Sequence, residues 1–133
     1  MTKNKFEEIY QNSHYQVSLN NTWQTIVINQ VCDLGITKSW SMILADNPYS
    51  NLLSEEENIQ RRIDLQEELV REGFREIYQA RAGSHDESWP WEYGLLVPNF
   101  SEEDAKKLGV KFEQNAIIVA YENHPKIVWC LED

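Results

Sequence analysis

The sequence predicts an α+β fold: a single domain over residues 1–133, with a largely antiparallel sheet packed against one long helix and one or two short ones. Three observations carry this. A chain of 133 residues holds one hydrophobic core of ordinary size. Two runs, Ser54-Glu55-Glu56-Glu57 and Ser101-Glu102-Glu103-Asp104, join a capping hydroxyl to acidic residues that suit the positive end of a helix. The segments follow as helix, strands, helix, strands, helix and hairpin, which is not the regular alternation of a parallel sheet.

In chain order, residues 5–11 predict a short helix. Residues 15–19 alternate as a strand, Asn20-Asn21 is a turn, and β-branched residues 25–29 predict a second strand. Residues 31–35 form a short helix or loop. Residues 39–45 predict a buried strand ending at Asp46-Asn47-Pro48, where proline removes an N–H and holds Asn47 extended. The capping box starts the long helix at Glu55, and Gly73 stops it after Glu72. Residues 74–80 follow as a strand, 81–88 as a polar mobile loop, and 91–97 as a strand closed by Pro98. The second capped helix ends at Gly109. Residues 116–121 and 126–130 form a hairpin around Glu122-Asn123-His124-Pro125.

Composition narrows the function. Acidic side chains number 22 against 12 basic, a formal charge of −10, which opposes contact with nucleic-acid phosphates and with anionic membranes. No apolar run reaches the roughly 20 residues that span a bilayer. Residues 1–6 lack the apolar centre of a secretory signal, so a cytoplasmic location is expected. Cys32 and Cys130 sit among apolar neighbours, where a buried, inert thiol is the expectation. His14, His85 and His124 share no ligand spacing with each other or with the cysteines, so no metal is expected. No cofactor is expected either. The dinucleotide, P-loop and nucleophile-elbow motifs do not occur. No catalytic motif is recognisable.

The long helix places a polar line inside an apolar face. At about 100° per residue from Asn58, residues Ile59, Ile63, Leu65, Leu69, Val70 and Phe74 span roughly −20° to 160°. Asn58, Arg62 and Gln66 fall inside that arc at roughly 0°, 40° and 80°. Glu57, Gln60, Arg61, Asp64, Glu67, Glu68 and Arg71 fall outside it, as solvated residues do. A charge inside an apolar stripe needs a partner. Arg62 therefore pairs with an internal carboxylate, snorkels past the stripe's edge, or anchors a ligand. Asn47 shapes a turn or, beside the helix start, helps to receive an anion, although Asp46 and three glutamates oppose one. Glu92 is the only carboxylate of Trp89-Pro90-Trp91-Glu92-Tyr93-Gly94. On a strand it lies opposite Trp91 and Tyr93. Desolvation there would raise its pKa for acid or base work; pairing with Arg62 is the preferred alternative. Gln114-Asn115 ends a loop or lines a pocket.

Four segments together resemble the small bacterial domain-of-unknown-function family 3293: residues 41–50, Glu57-Asn58 with Arg61-Arg62, residues 89–96, and residues 112–117. The likeness runs from about 15 to 129. It implies family positions at Asn47, Pro48, Asn58, Glu92, Gln114 and Ala116. The chain departs where Leu44 replaces a usual Thr, Asp46 an aromatic, Gly94 a usual Ser and Glu113 a usual Gly. Two readings follow. In the first, Asn47, Asn58, Arg62, Glu92 and Gln114 converge on a small polar or anionic ligand in a cleft between the long helix and the sheet, with Trp91 or Tyr93 as walls. In the second, the domain is an acidic protein–protein interaction module, an inhibitor or assembly partner, that meets a basic protein partner through its carboxylates and five tryptophans.

Overall fold

The computed structural model describes residues 6–131. It is an α+β fold with three α-helices and a single seven-stranded, curled, antiparallel sheet. Lys5, at the expected start of the first helix, and residues 1–5 read for a secretory signal lie outside the described residues.

Helix α1 (Glu7–Asn12) leads into β1 (His14–Leu19). Asn20 and Asn21 are both left-handed, with φ of 52° and 63°, the geometry of a two-residue hairpin turn. That turn pairs Leu19 with Thr22 at once, so β2 spans Thr22–Ile26 rather than 25–29. Beyond Ile26 the chain leaves the sheet; Asn29 has φ 65° and donates to Pro125 O. Residues 31–35 are loop. Strand β3 (Trp40–Leu44) is the buried strand the sequence predicts.

Helix α2 (Glu55–Arg71) begins with the reciprocal Ser54–Glu57 capping box, and Gly73 at φ 97° turns the chain out of it. Residues 74–77 do not pair; Phe74 instead packs on Phe100 with ring centroids 4.7 Å apart. Strand β4 (Tyr78–Gly83) starts late and continues through Arg81, which the sequence assigned to a mobile loop. β1 and β5 flank it on both edges, and the Arg81 guanidinium lies 4.1 Å from the ring centroids of both Trp23 and Trp91. Gly83 admits the Trp91 ring, which a Cβ there would meet at 2.8 Å.

β5 (Glu92–Pro98) precedes α3 (Glu102–Lys111), which runs on past Gly109. Gly109 marks close packing rather than an end: a Cβ would stand 2.8 Å from Cys130 Sγ and Ile117 Cγ2. Strands β6 (Ala116–Tyr121) and β7 (His124–Trp129) close on a turn of only two residues, Glu122-Asn123, both left-handed.

The strand order is β2-β1-β4-β5-β3-β6-β7, every neighbouring pair antiparallel. Helices α2 and α3 cover one face of β5, β3 and β6, burying Ile43, Leu95, Val97 and Val119 with Leu65, Leu69 and Leu108. Strand alternation sends Val17, Trp40, Met42, Leu96 and Ile118 to the other face, where Ile28, Leu34 and Ile36 pack over them. The buried face of α2 is Asn58, Leu65 and Leu69, with Arg61, Arg62 and Glu68 half-buried. It is centred near −20° on the wheel, to one side of the expected arc. Ile59, Ile63, Gln66 and Val70 are consequently exposed. No helix among the described residues is long and apolar enough to cross a membrane.

Candidate functional site

The site is built where β3 runs out. Ala45 N still donates to Tyr93 O at 2.9 Å, and the next two residues turn their side chains inward. Asp46 is 1% exposed and accepts a two-bond fork from Arg62, Nε to Oδ1 at 2.8 Å and Nη2 to Oδ2 at 2.6 Å. Tyr93 N adds a third bond at 3.0 Å. Arg62 lies 4.6 Å over the Tyr93 ring and reaches Glu55 at 3.2 Å. The hydrogen bond to Asp46 raises its already high pKa. The internal carboxylate that Arg62 requires is thus Asp46, and the preferred pairing with Glu92 is corrected. Arg61 is not a solvated residue: it donates to Ala45 O and Phe112 O and pairs with Glu113 at 3.5 Å.

Asn47 is left-handed (φ 52°, ψ 76°), not extended as its place before Pro48 predicts. Asparagine tolerates that conformation better than most residues, and its hydrogen bonds offset the cost. Its Oδ1 accepts from Leu53 N and from Asn58 Nδ2, both at 2.9 Å. Its own N donates to Asn58 Oδ1 at 3.0 Å, and its Nδ2 donates to Glu92 Oε2 at 2.9 Å. Tyr49 and Ser50 are also left-handed, so the short turn Pro48–Ser50 is held by its surroundings, Tyr49 N donating to Glu113 O at 2.7 Å. Gln114 is buried and donates to Asp46 O at 3.1 Å. All five sequence-predicted residues, Asn47, Asn58, Arg62, Glu92 and Gln114, therefore meet around Asp46-Asn47. Asn47 is bonded to Asn58 and Glu92, and Arg62 and Gln114 to Asp46, where α2 meets the sheet.

Open space lies on the far side of Glu92. A cavity of about 740 Å³ occupies one end of the curled sheet, between α1, the segment after β4, and the strand positions Tyr15, Leu44 and Ala82. Glu92 stands at its edge with Oε2 held by Asn47 and by Trp89 Nε1 (3.1 Å); among the described residues, none donates to Oε1. Burial pushes the Glu92 carboxyl above its ordinary range, and the nearby charge of Asp46 adds to this, while the two donors pull the other way. Opposite it, burial raises the Tyr10 hydroxyl to about 12, against hydrogen bonding from Asn115 and Ser50. Asn115 is 1% exposed, donates to Ser50 Oγ at 2.8 Å, and leaves its Oδ1 unpartnered.

Trp91 and Tyr93 do not wall this cavity. They share the opposite sheet face with Trp23 and Arg81; the indole beside Glu92 is that of Trp89. The sequence reading missed Asp46 as the partner of Arg62, and the roles of Arg61, Trp89 and Tyr10. The fixed spacing of Trp89 to Glu92 was a visible signal; Tyr10 had none. Cys32 and Cys130 are free and half-buried, and burial raises the Cys130 thiol to about 11. No group of three or more His, Cys, Asp or Glu side chains that could hold a metal is assembled among the described residues.

A model of the family described as "Protein of unknown function (DUF3293)" matches residues 43–117. The chain belongs to this family. No curated protein and no solved structure matches it. The DUF3293 span runs from within β3 to the start of β6 and contains the whole Asp46–Asn47 cluster. The α1 wall of the cavity, with Tyr10, lies outside it. At Gly94 the departure from the pattern that the resemblance implies has a local reason, and at Glu113 the backbone still has a glycine's conformation. A Cβ at Gly94 would stand 2.0 Å from Ile43 O, so no serine fits between β3 and β5 here. Glu113 adopts φ 58°, the conformation a glycine takes freely.

Proposed function

We propose that this DUF3293 member is a small-molecule binding domain whose ligand enters the cavity beside α1 and hydrogen-bonds to Glu92. One observation carries the reading: a carboxyl fixed through one oxygen by Asn47 and Trp89, with no described donor on the other, lines a cavity of about 740 Å³. Binding sites typically combine such apolar walls with a few oriented polar groups. A cleft between α2 and the sheet is not the place for it, because the polar groups there are bonded to one another. Free Cys32 and Cys130 are in keeping with a cytoplasmic home. Native mass spectrometry of the protein purified gently from its own host tests the reading. An excess mass of ligand size, lost in Glu92→Ala, supports it; a bare chain in every preparation counts against it.

A second reading, docking of a basic protein partner, is favoured by a different feature. Ile59, Ile63 and Val70 are 44%, 45% and 57% exposed along α2, beside the exposed carboxylates of Asp64 and Glu67. A basic amphipathic helix fits such a stripe. Binding of a Lys-rich amphipathic peptide, lost on Glu56→Lys with Glu67→Lys, tests it. Glu55 and Glu68 are unsuitable for this test, because they hold Arg62 and Lys111.

A further inference from the structure

We infer that the cavity beside α1 takes an organic cation: a small amine with an apolar body, its ammonium group on Glu92 and its body against the aromatic walls. This rests on the ligand-binding reading above and names the ligand class. Among the described residues the lining holds three carboxyl groups, Glu8, Asp86 and Glu92, one histidine, His85, and neither lysine nor arginine. Three carboxylates against one histidine favour a cation over an anion there.

Glu92 is oriented for a cation. Its two neighbouring donors both bind Oε2, so among the described residues Oε1 keeps its acceptor capacity for a ligand at no cost to the internal network. An ammonium group supplies the charge-assisted hydrogen bond and countercharge that a desolvated carboxylate lacks. Tyr10, Tyr15 and Trp89 add aromatic surface to the lining, and ring faces attract cations. A net charge of −10 also concentrates cations around the molecule.

The test uses three probes of one shape: benzylamine, neutral benzyl alcohol and benzoate, titrated calorimetrically into the full chain, with the Trp89 indole N–H followed by NMR. Benzylamine is expected to bind one to one and shift that resonance, with benzyl alcohol weaker by about tenfold or more and benzoate without effect. Glu92→Gln, which keeps an acceptor for Asn47 and Trp89 and removes the charge, is expected to lower benzylamine binding to that of benzyl alcohol or below. The three-probe comparison on the unaltered protein stands even if that variant fails to fold. Binding of benzyl alcohol or benzoate as tightly as benzylamine overturns the cation inference and leaves the cavity reading intact. Silence of the Trp89 resonance to all three overturns both.

Discussion

Asp46 is almost wholly removed from water and is neutralised by one guanidinium, so the two residues stand or fall together. Arg62→Ala is expected to cost about 3 kcal/mol, the low end for a broken buried pair. Arg62 keeps 27% of its side-chain surface exposed, and Tyr93 N still reaches the carboxylate. Arg62→Lys keeps the charge and loses the fork; a smaller loss of about 1–2 kcal/mol is expected. Urea midpoints of the three proteins check this order. Glu92 behaves in the opposite sense. Burial raises its folded-state pKa above the unfolded value, so its contribution is full below the ordinary carboxylate range and falls away as pH rises through the folded pKa. Glu92→Gln should therefore be more stable than the native chain at neutral pH and gain nothing at pH low enough to protonate the carboxyl. Midpoints measured across that range decide it; a gain that does not change with pH would contradict the assigned cause.

Among the elements, α2 was read correctly at its ends and wrongly on its sides. The capping box and Gly73 are local signals, and Ser54→Ala is expected to cost about 1 kcal/mol by thermal melting. The buried side depends on tertiary partners. Ile59, Ile63 and Val70 carry the apolar signal, yet the sheet takes Asn58, Leu65 and Leu69, and backbone carbonyls of Ala45 and Phe112 draw Arg61 inward. β4 was misplaced for a related reason: an arginine sandwiched between two indoles looks like loop in sequence and is sheet in space. The convergence of Asn47, Asn58, Arg62, Glu92 and Gln114 was legible. Their dependence on Asp46 was not, because an acid at a strand end carries no mark of the arginine that will reach it. Gly94 makes the sharpest element-level prediction. A Cβ there strikes the β3 backbone, so Gly94→Ala should lose more than about 3 kcal/mol, and circular dichroism of the soluble fraction should show little folded protein.

For the whole molecule, a charge of −10 on one small domain means self-repulsion, with the basic groups Arg62, Arg71, Lys107, Lys111 and Lys126 already committed to carboxylates. Raising sodium chloride from about 0.05 to 0.5 M should shift the urea midpoint upward, since screening relieves repulsion over distances beyond a few ångströms. A midpoint that falls with salt would mean that ion pairs outweigh the excess charge.

The place of β3 in the sheet also sets an order of events in time. This apolar strand lies between β5 and β6, both of which are synthesised after it. While the chain grows, Trp40–Leu44 must wait with its main-chain groups unmatched until the last third of the protein emerges, the circumstance in which strands recruit other chains. A ribosome stalled before β6 would release a polypeptide carrying a half-paired, sticky strand at its centre. The segments that complete β3 therefore also guard the newborn chain against aggregation.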